Sequence, residues 1–306
     1  MSLSPNPDAR TDAFERHRAR LFGIAYRMLG SVEDAEDVVQ EAFLRWHGAA
    51  TDTIRSAEAW LVSVVTRLSI DRLRRATTER EAYVGSWLPE PLATPMTAPD
   101  RHVELASDLS MAFLVLLEKL APEERAAFLL REVFGTDYGE IAHVLEKSEA
   151  ACRQLVHRAR ERVRSDRKRA EVSPRANERL VARFVAALAA EDEQALLGVF
   201  ADDVVWVSDG GSNAPAVREV MSGAVRVARL AVGFERKGHG LVEHTVAWIN
   251  GEPAVLTTAA GRTLFTTSFG VDRGRITAVY RVLNPEKLEH VGPKPLGAWK
   301  GRGSGR

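Results

Sequence analysis

The sequence predicts a multidomain protein with two all-α domains, the second carrying a helix-turn-helix, followed by one α+β domain. Three observations support this prediction. Apolar residues recur at steps of three and four from residue 12 to about 76 and again from about 103 to 169, which is the helical period. A stretch with four prolines and no helical period separates them. Beyond residue 200, β-branched and aromatic runs alternate with turn signals, a pattern typical of hairpin-linked strands.

Length and composition limit the possible classes of protein. The 306 residues exceed what one hydrophobic core usually organises. No apolar run approaches the roughly 20 residues of a membrane helix, and the N-terminus lacks the apolar core of a secretory signal. The single cysteine, Cys152, excludes an intramolecular disulfide. We therefore expect a cytoplasmic protein without a membrane partner. Net charge is zero, but the two signs are segregated along the chain.

The first helical zone contains an acidic helix followed by a basic one. Gly30 and Ser31 break the first apolar run, and Ser31 resembles a helix start. The helix within "GSVEDAEDVVQEAFLRWHGA" is acidic, which by itself is typical of a solvated face. The next helix places an aromatic residue and arginines on one side: Trp60, Ser63, Arg67, Asp71 and Arg74, with Arg72 and Arg75 beside them. Such a face suits stacking on a base and following a single-stranded backbone; the alternative is a buried tryptophan with a solvated basic helix end.

The second zone contains a helix-turn-helix pattern. Two helical runs meet at a very short turn, Glu146-Lys147, and we expect Asp137 and Ser148 to cap them. On the second helix, one face carries Glu149, Arg153, His157 and Arg160. A recognition helix would present such side chains to base edges and phosphates in the major groove, and the arginine-rich stretch that follows would add affinity for phosphate. The alternative is an ordinary helix pair with a solvated basic end.

The third zone begins with an amphipathic helix, "NERLVARFVAALAAED". The strand-like runs "VVWV", "LVEHTVAWI", "AVLTTAA", "TLFTTSFGV" and "RITAVYRVL" follow, with turn signals that include Asn250-Gly251 and Asp272-Arg273-Gly274. One helix leading into several hairpin-linked strands predicts an α+β domain with a single curved sheet. We predict a flexible tail after this domain, because the chain ends in a Gly/Arg-rich segment.

The order of these helices resembles a bacterial RNA polymerase sigma factor of the extracytoplasmic-function group. The resemblance rests on "YRMLGSVEDAEDVVQEAFLRW", "AWLVSVVTRLSIDRLRR" and "LEKLAPEERAAFLLREVFGTDYGEIAHVLEKSEAACRQLVHRARERVR". It implies docking of the acidic helix on the clamp helices of core polymerase through Asp34, Asp37, Gln40 and Glu41. It implies recognition and melting of the −10 element by the basic helix, with Trp60, Arg67, Asp71, Arg72, Arg74 and Arg75. It implies reading of the −35 element by Ser148, Glu149, Arg153, Gln154, His157, Arg158 and Arg160.

The third zone resembles a SnoaL-like domain of the NTF2-like superfamily, a cone in which a bent sheet wraps around helices. Sigma factors with this extra domain form the SigJ-like (ECF41) subgroup, whose signatures are WLPEP, DGGGK and NPDKL. This chain has the first intact, as Trp87, Leu88, Pro89, Glu90 and Pro91. In the second, Asp209, Gly210 and Gly211 match, whereas Ser212 and Asn213 differ. In the third, glutamate replaces aspartate within Asn284, Pro285, Glu286, Lys287 and Leu288.

These signatures imply an intramolecular contact between the linker and the third domain. Prolines limit the unfolded freedom of the linker, so fixing it costs less entropy. Trp87 and Leu88 are expected to be apolar anchors, and Glu90 is expected to meet a charged partner, with Lys287 as the candidate. We expect the fused domain to regulate the sigma domains, because tethering gives even a weak contact a high effective concentration.

An enzymatic third domain is the competing interpretation. The visible acid–base candidates are Asp202, Asp203, Asp209, His239 and His244, and a tuned pair would need them to converge in space. Adjacent aspartates before a strand are most simply turn residues, so we expect no enzyme activity. The scattered histidines and lone cysteine give no metal-ligand spacing, and no motif indicates a cofactor. Binding of a small ligand in the cone stays open.

The resulting assignment divides the chain into 1–76 as sigma region 2, 77–102 as a linker with WLPEP, 103–170 as sigma region 4, 176–290 as the SnoaL-like domain and 291–306 as the tail. The predicted function is that of an alternative sigma factor with core RNA polymerase and promoter DNA as partners. The alternatives are a polymerase-independent helix-turn-helix regulator whose third domain senses a ligand, and an enzyme fused to a DNA-targeting module.

Overall fold

The computed structural model describes residues 7–50, 54–93, 109–166 and 174–292. These residues form two compact units. The first contains 7–50, 54–81 and 116–166, and the second contains 82–93, 109–115 and 174–292. The sequence predicted a linker at 77–102 whose WLPEP segment contacts the third domain. Residues 77–81 instead continue the last helix of the N-terminal half, residues 82–93 belong to the same unit as the third domain, and 94–102 lie outside the described residues. Most of the predicted tail, from residue 293, lies outside the described residues.

Three helices build the N-terminal half of the first unit: α1 (Pro7–Leu29), α2 (Val32–Gly48) and α3 (Ala57–Glu81). Gly30 ends α1 with a φ of 68°, a conformation that favours glycine. Ser31 caps α2 as predicted, because its hydroxyl accepts the Asp34 amide at 3.2 Å. Helix α3 runs past the predicted boundary at 76. Arg80 explains the extension, since its guanidinium donates to the Leu29 carbonyl at 2.5 Å and pairs with Glu118.

The C-terminal half of the first unit contains the predicted helix-turn-helix. It comprises α4 (Met111–Leu117), α5 (Pro122–Phe128) with a wide turn at Leu129–Val133, α6 (Tyr138–Leu145) and α7 (Glu149–Asp166). Asp137 caps α6 by accepting the Glu140 amide at 2.8 Å, and the Ser148 hydroxyl accepts the Ala151 amide at 3.2 Å. Glu146 takes the left-handed conformation at the turn. The predicted turn and both caps are confirmed.

The two helical halves pack together through a buried arginine. Arg125 in α5 is 1 % exposed. Its guanidinium donates to the Met28 carbonyl in α1 at 2.8 Å and to Glu118 at 2.8 Å. A buried guanidinium requires this degree of pairing, so the contact is specific. This contact could not be predicted from local sequence patterns, because the partners are far apart in the chain.

The second unit is an α+β domain. Its elements are α8 (Pro174–Ala189), α9 (Glu193–Leu197), β1 (Phe200–Asp209), β2 (Met221–Ser222), α10 (Ala224–Gly238), β3 (Glu243–Ile249), β4 (Glu252–Ala259), β5 (Arg262–Asp272), β6 (Arg275–Val282) and a 3₁₀ turn at Pro285–Leu288. The strands form one sheet in the order β2-β1-β6-β5-β4-β3. Only the β1–β6 pair of these strands is parallel. The predicted strands and the Asn250-Gly251 hairpin turn are confirmed, the turn having both residues at positive φ.

The sheet has two differently covered faces. On the inner face, α8 and α10 cover a core that includes Phe184, Trp206 and Phe269. On the outer face, Tyr280 and Val282 of β6 cluster with side chains from outside the third domain's sheet and helices: Leu88 from the linker, and Met111 and Ala112 from the start of α4. Because strand residues alternate between faces, β6 contributes to both layers. The linker is therefore held by the outer face of the sheet.

Candidate functional site

The predicted −10 face of α3 borders a cleft of about 1330 Å³ within the first unit. Trp60, Ser63 and Arg67 line it from α3, and His143 and Lys147 line it from the helix-turn-helix. Trp60 is half-buried, with its ring 5.4 Å from that of Trp46. Trp60 therefore packs against the core on one side and borders the cleft on the other. It has features of both alternatives that the sequence left open, a surface for base stacking and a buried tryptophan.

Two arginines of this face bind residues in the C-terminal half of the first unit. The Arg67 guanidinium donates to the carbonyls of His143 and Val144, both at 2.9 Å, and pairs with Glu146 at 3.1 Å. These carbonyls lie at the C-terminal end of α6, where a cation is favoured by the helix dipole. Arg74 similarly meets Glu123 at 2.9 Å. The turn of the helix-turn-helix thus covers part of the predicted −10 face.

Arg72 departs from the predicted grouping. Its Nε donates to Asp34 at 2.8 Å, and its Nη2 lies 3.4 Å from Asp37. The bond to Asp34 is the main cause of a raised pKa at Arg72. A member of the predicted −10 set therefore pairs with two members of the predicted polymerase-binding set. Asp71 and Arg75 are exposed on the same helix.

The seven residues of the predicted −35 set lie on more than one side of α7. Successive residues of an α-helix are rotated by about 100°, so Arg158 and Arg160 point to nearly opposite sides. Arg158 turns back to Glu124 at 2.9 Å, and Arg160 reaches Glu132 at 2.6 Å. The exposed members of the set are Ser148, Glu149, Arg153, Gln154, His157 and Arg158.

The exposed side of α2 carries an apolar residue among the predicted polymerase-binding residues. Asp37, Gln40 and Glu41 are exposed, and Leu44 is 59 % exposed. The spacing i, i+3, i+4 and i+7 places all four on one side of the helix. We call these four residues the α2 face. Leu44 was not among the residues predicted from the sequence, although its helical spacing from the acidic residues indicated the same side of the helix.

A buried carboxylate joins the three signature motifs in the second unit. Asp209 is fully buried, and its Oδ2 accepts the Leu88 amide at 2.8 Å and the Lys287 ammonium at 2.7 Å. Its Oδ1 accepts the Tyr83 hydroxyl at 2.6 Å and the Gly211 amide at 3.2 Å. We call these residues the Asp209 node. The three motifs therefore converge on one side chain.

Lys287 fastens the linker as well as neutralising Asp209. Its ammonium donates to the Leu88 carbonyl at 2.6 Å and lies 4.1 Å from the centre of the Trp87 ring. Leu88 is 1 % exposed, and Pro89 and Pro91 are buried, whereas Trp87 is half-buried. Leu88 is thus the apolar anchor, and Trp87 lies against a cation. The partner found for Lys287 is Asp209, so its pairing with Glu90 stays a prediction.

Farther along, the linker adds to the edge of the sheet. Asn250 donates its amide to the Leu92 carbonyl at 2.8 Å and accepts the Leu92 amide at 3.2 Å, and Ala93 forms a bridge with Ile249. Main-chain pairing at an edge strand is a common way to hold an extended segment.

The family of the chain follows from comparison with known proteins. The Sigma-70 region 2 profile matches residues 13–79, and the Sigma-70 region 4 profile matches residues 110–163. The extracytoplasmic-function sigma factor SigJ of Mycobacterium tuberculosis is 38 % identical, over 90 % of this chain and 92 % of its own. The chain belongs to the extracytoplasmic-function sigma factors. Family membership favours the function of a sigma factor, which acts with core RNA polymerase, over that of a polymerase-independent regulator.

Similarity to these sigma factors extends through the third domain. The crystal structure of M. tuberculosis SigJ has a TM-score of 0.76 at 35 % identity, over 93 % of this chain and 99 % of that one. The probable sigma factor SigI of the same organism is 31 % identical over 92 % of this chain and 96 % of its own. The fold is that of two helical sigma domains followed by an α+β domain. No helix among the described residues is long and apolar enough to cross a membrane.

The acid–base candidates in this sigma factor do not converge. Asp202 and Asp203 are exposed on β1. His239 is an exposed residue 3.2 Å from Glu191. Asp209 belongs to the node on the outer face of the sheet, whereas His244 lies on the inner face. The described residues contain no cluster of three or more potential metal ligands.

Tyr83 is the residue of the node that the sequence analysis missed. Burial, followed by its hydrogen bond to Asp209, raises the pKa of Tyr83 well above its usual range. The hydroxyl therefore stays protonated and donates to Asp209, while it accepts the Asn284 amide at 3.0 Å. An aromatic residue four positions before WLPEP was the available signal. It lies outside the motif and resembled ordinary linker sequence.

Proposed function

We propose that this sigma factor is regulated by its own third domain, which holds the linker between regions 2 and 4. The observation that carries the proposal is the Asp209 node, in which a fully buried carboxylate binds the linker amide of Leu88. Burying a carboxylate is costly unless it is paired and hydrogen-bonded. Undocking the linker would break these bonds, so the docked arrangement is specific.

Docking the linker limits how far the two promoter-binding regions can separate. Elements near −10 and −35 lie about 25 base pairs apart, which is roughly 85 Å of B-form DNA. Residues 82–93 and the start of α4 are both held by the third domain. In the first unit, Arg67 is bound to the end of α6. We infer that promoter binding requires Arg67 to be released and that the docked linker opposes this release.

Within the promoter complex, we propose that the α3 cleft receives an unstacked base of the −10 element. Trp60 offers a ring for stacking, and Arg67, once released, offers a cation for the backbone. Arg74 and Arg75 extend the basic surface along α3. Arg72 acts differently, because its bonds to Asp34 and Asp37 orient the start of α2.

The test is run-off transcription with core polymerase at limiting concentration, comparing the full chain with W87A/L88A. Truncating a buried leucine costs about 2 kcal/mol or more, which shifts the docking equilibrium by roughly thirtyfold. We expect a several-fold rise in transcript. The matched control is Val84→Ala, a linker residue that is 41 % exposed, and it should behave as wild type. An unchanged yield for W87A/L88A, with core binding intact, would contradict the proposal.

The different partners of Arg153 and Arg158, which lie about 140° apart around α7, give a second prediction. Arg153 is exposed on the outer side of α7, so R153A should weaken binding to a −35 duplex about tenfold without lowering the melting temperature. Arg158 instead pairs with Glu124, whose side chain is 7 % exposed. Because Arg162 also pairs with Glu124 and the Arg158 side chain is 53 % exposed, R158A should lower the melting temperature by only about 1–3 °C and weaken DNA binding less than R153A does. Fluorescence anisotropy and calorimetry measure both effects; equal losses of affinity would refute this assignment of faces.

A further inference from the structure

An arginine lies inside the NTF2-like domain, on the inner face of the sheet. Arg281 of β6 is 3 % exposed. Its neighbours across the two adjacent strands are Ser208 on β1 and Thr267 on β5. These three polar residues form a row across the inner face, in a layer that is otherwise mostly apolar. None of the three belongs to a motif that is recognisable in the sequence.

No hydrogen-bond acceptor or carboxylate pairs with Arg281 among the residues that the structure describes. Its Nε is completely enclosed and lacks a hydrogen-bond partner. Burial lowers the pKa of Arg281 to about 9, with a smaller opposing effect of Glu235. That pKa leaves the group charged at neutral pH. A buried, unpaired cation is costly, and an apolar side chain would serve the fold better. Such conflicts between local chemistry and stability are typical of functional sites.

Aromatic rings surround the guanidinium. Its carbon lies 4.2 Å from the ring centre of Phe265, 4.3 Å from that of Trp206 and 5.2 Å from that of Phe234. These rings stabilise the cation in part, but they accept no strong hydrogen bond. The Thr267 hydroxyl beside Arg281 is likewise buried without a partner. The group therefore offers unused donors between aromatic surfaces.

Glu235 and His244 form a polar pair that borders the Arg281 guanidinium without neutralising it. Glu235 follows Phe234 in α10, and its Oε2 lies 2.8 Å from Nε2 of His244. Nδ1 of His244 is 2.9 Å from the Thr257 hydroxyl. Glu235 is therefore already committed to His244. The two side chains remain 13 % and 9 % exposed, so solvent reaches this edge of the domain's interior.

We propose that the interior of the third domain binds a small aromatic carboxylic acid, with Arg281 as its anchor. A carboxylate matches the planar fork of a guanidinium and pairs with it through two hydrogen bonds. Thr267 supplies a further donor, and the aromatic body of the ligand packs on Trp206, Phe234 and Phe265. The ligand neutralises the buried charge, which explains why an arginine is retained here. This site is independent of the linker contact proposed above.

The test is isothermal titration of the full chain with benzoate, phenylacetate and indole-3-acetate, each compared with its neutral amide. We expect at least one acid to bind with a Kd of about 1 mM or tighter and its amide to bind at least tenfold more weakly. R281M should lose at least tenfold in affinity for the acid. R229M, which removes an arginine whose side chain is 70 % exposed on α10, should retain it.

The stability of R281M provides a second measurement. Removing an unpaired buried charge should leave the melting temperature equal to that of the wild type or raise it by about 2–4 °C. A fall in melting temperature would show that Arg281 serves the fold and would overturn the proposal. So would failure of all three acids to bind, equal binding of acid and amide, or equal binding by R281M and wild type.

Discussion

K287M is expected to lower the melting temperature by about 6–12 °C. Methionine preserves most of the length and volume of the lysine stem but removes the cation 2.7 Å from Asp209. Asp209 is fully buried, so its carboxylate would keep its neutral donors and lose its counter-charge. Breaking a buried ion pair costs about 3 kcal/mol or more, and each kcal/mol lowers the melting temperature of a domain of this size by about 2–4 °C. Calorimetry of the full chain measures the change.

The double variant D209N/K287M separates the charge effect from lost packing. Replacing the carboxylate by an amide removes the uncompensated charge, so the double variant should recover at least half of the lost stability. This non-additivity is expected for two groups in direct contact. K237M removes an exposed lysine on α10 and should leave the melting temperature unchanged. If K287M melts like wild type, the ion pair does not hold the node together.

L44E is expected to weaken binding to core polymerase by roughly 30-fold or more. Leu44 is 59 % exposed at the end of the α2 face, beside Asp37, Gln40 and Glu41. Interface anchors of this kind cost about 2 kcal/mol or more when removed, and a glutamate would also require desolvation of a charge. A fluorescence competition assay with labelled sigma factor measures the affinity.

The control for L44E is V220E in the third domain. Val220 is 56 % exposed, so the two substitutions place the same charge at positions of similar exposure. Neither should change the melting temperature, because both side chains already face solvent. We expect V220E to bind core polymerase as wild type does. Similar affinities for L44E and V220E would show that the α2 face does not contact polymerase.

The sequence predicted the elements whose signals are local. Helix caps at Ser31, Asp137 and Ser148 depend on atoms three residues away, so the residue types alone indicated them. The Asn250-Gly251 hairpin followed from the positive φ that such a turn requires. The division into helical zones and a curved sheet followed from periodicity. In each case the information lies within a few residues of the chain.

The contacts that depend on distant parts of the chain were not predictable in this way. Helical spacing suggested that Arg67 faced DNA, but its pairing with the end of α6 depends on how two helix groups pack. The helical rotation alone separates Arg158 from Arg160, whereas the ion pairs of each with Glu124 and Glu132 depend on the packing of α7 on α5 and the turn after it. Arg281 resembled any other arginine in a strand, since its burial follows from sheet register and from the helix above it.

Gly210 and Gly211 show why the second signature requires small residues. A Cβ at Gly210 would lie 2.5 Å from the Ala214 carbonyl oxygen, which no side chain tolerates. At Gly211 the backbone has a φ of 55°, and a Cβ would lie 3.0 Å from the Tyr83 hydroxyl. A tight turn within the loop therefore excludes larger residues at Gly210, and the close approach to Tyr83 of the linker excludes them at Gly211.

Two departures of this chain from the subgroup signatures are in contact with each other. Asn213 stands where the second signature has lysine, and Glu286 stands where the third has aspartate; the Asn213 amide donates to the Glu286 carboxylate at 3.0 Å. The Asn213 side chain is shorter than the lysine of the signature, and the Glu286 side chain is longer than the aspartate of the signature by one methylene. The summed length of the two side chains is therefore partly conserved, whereas an amide replaces the charged lysine ammonium. The two positions are expected to covary among relatives.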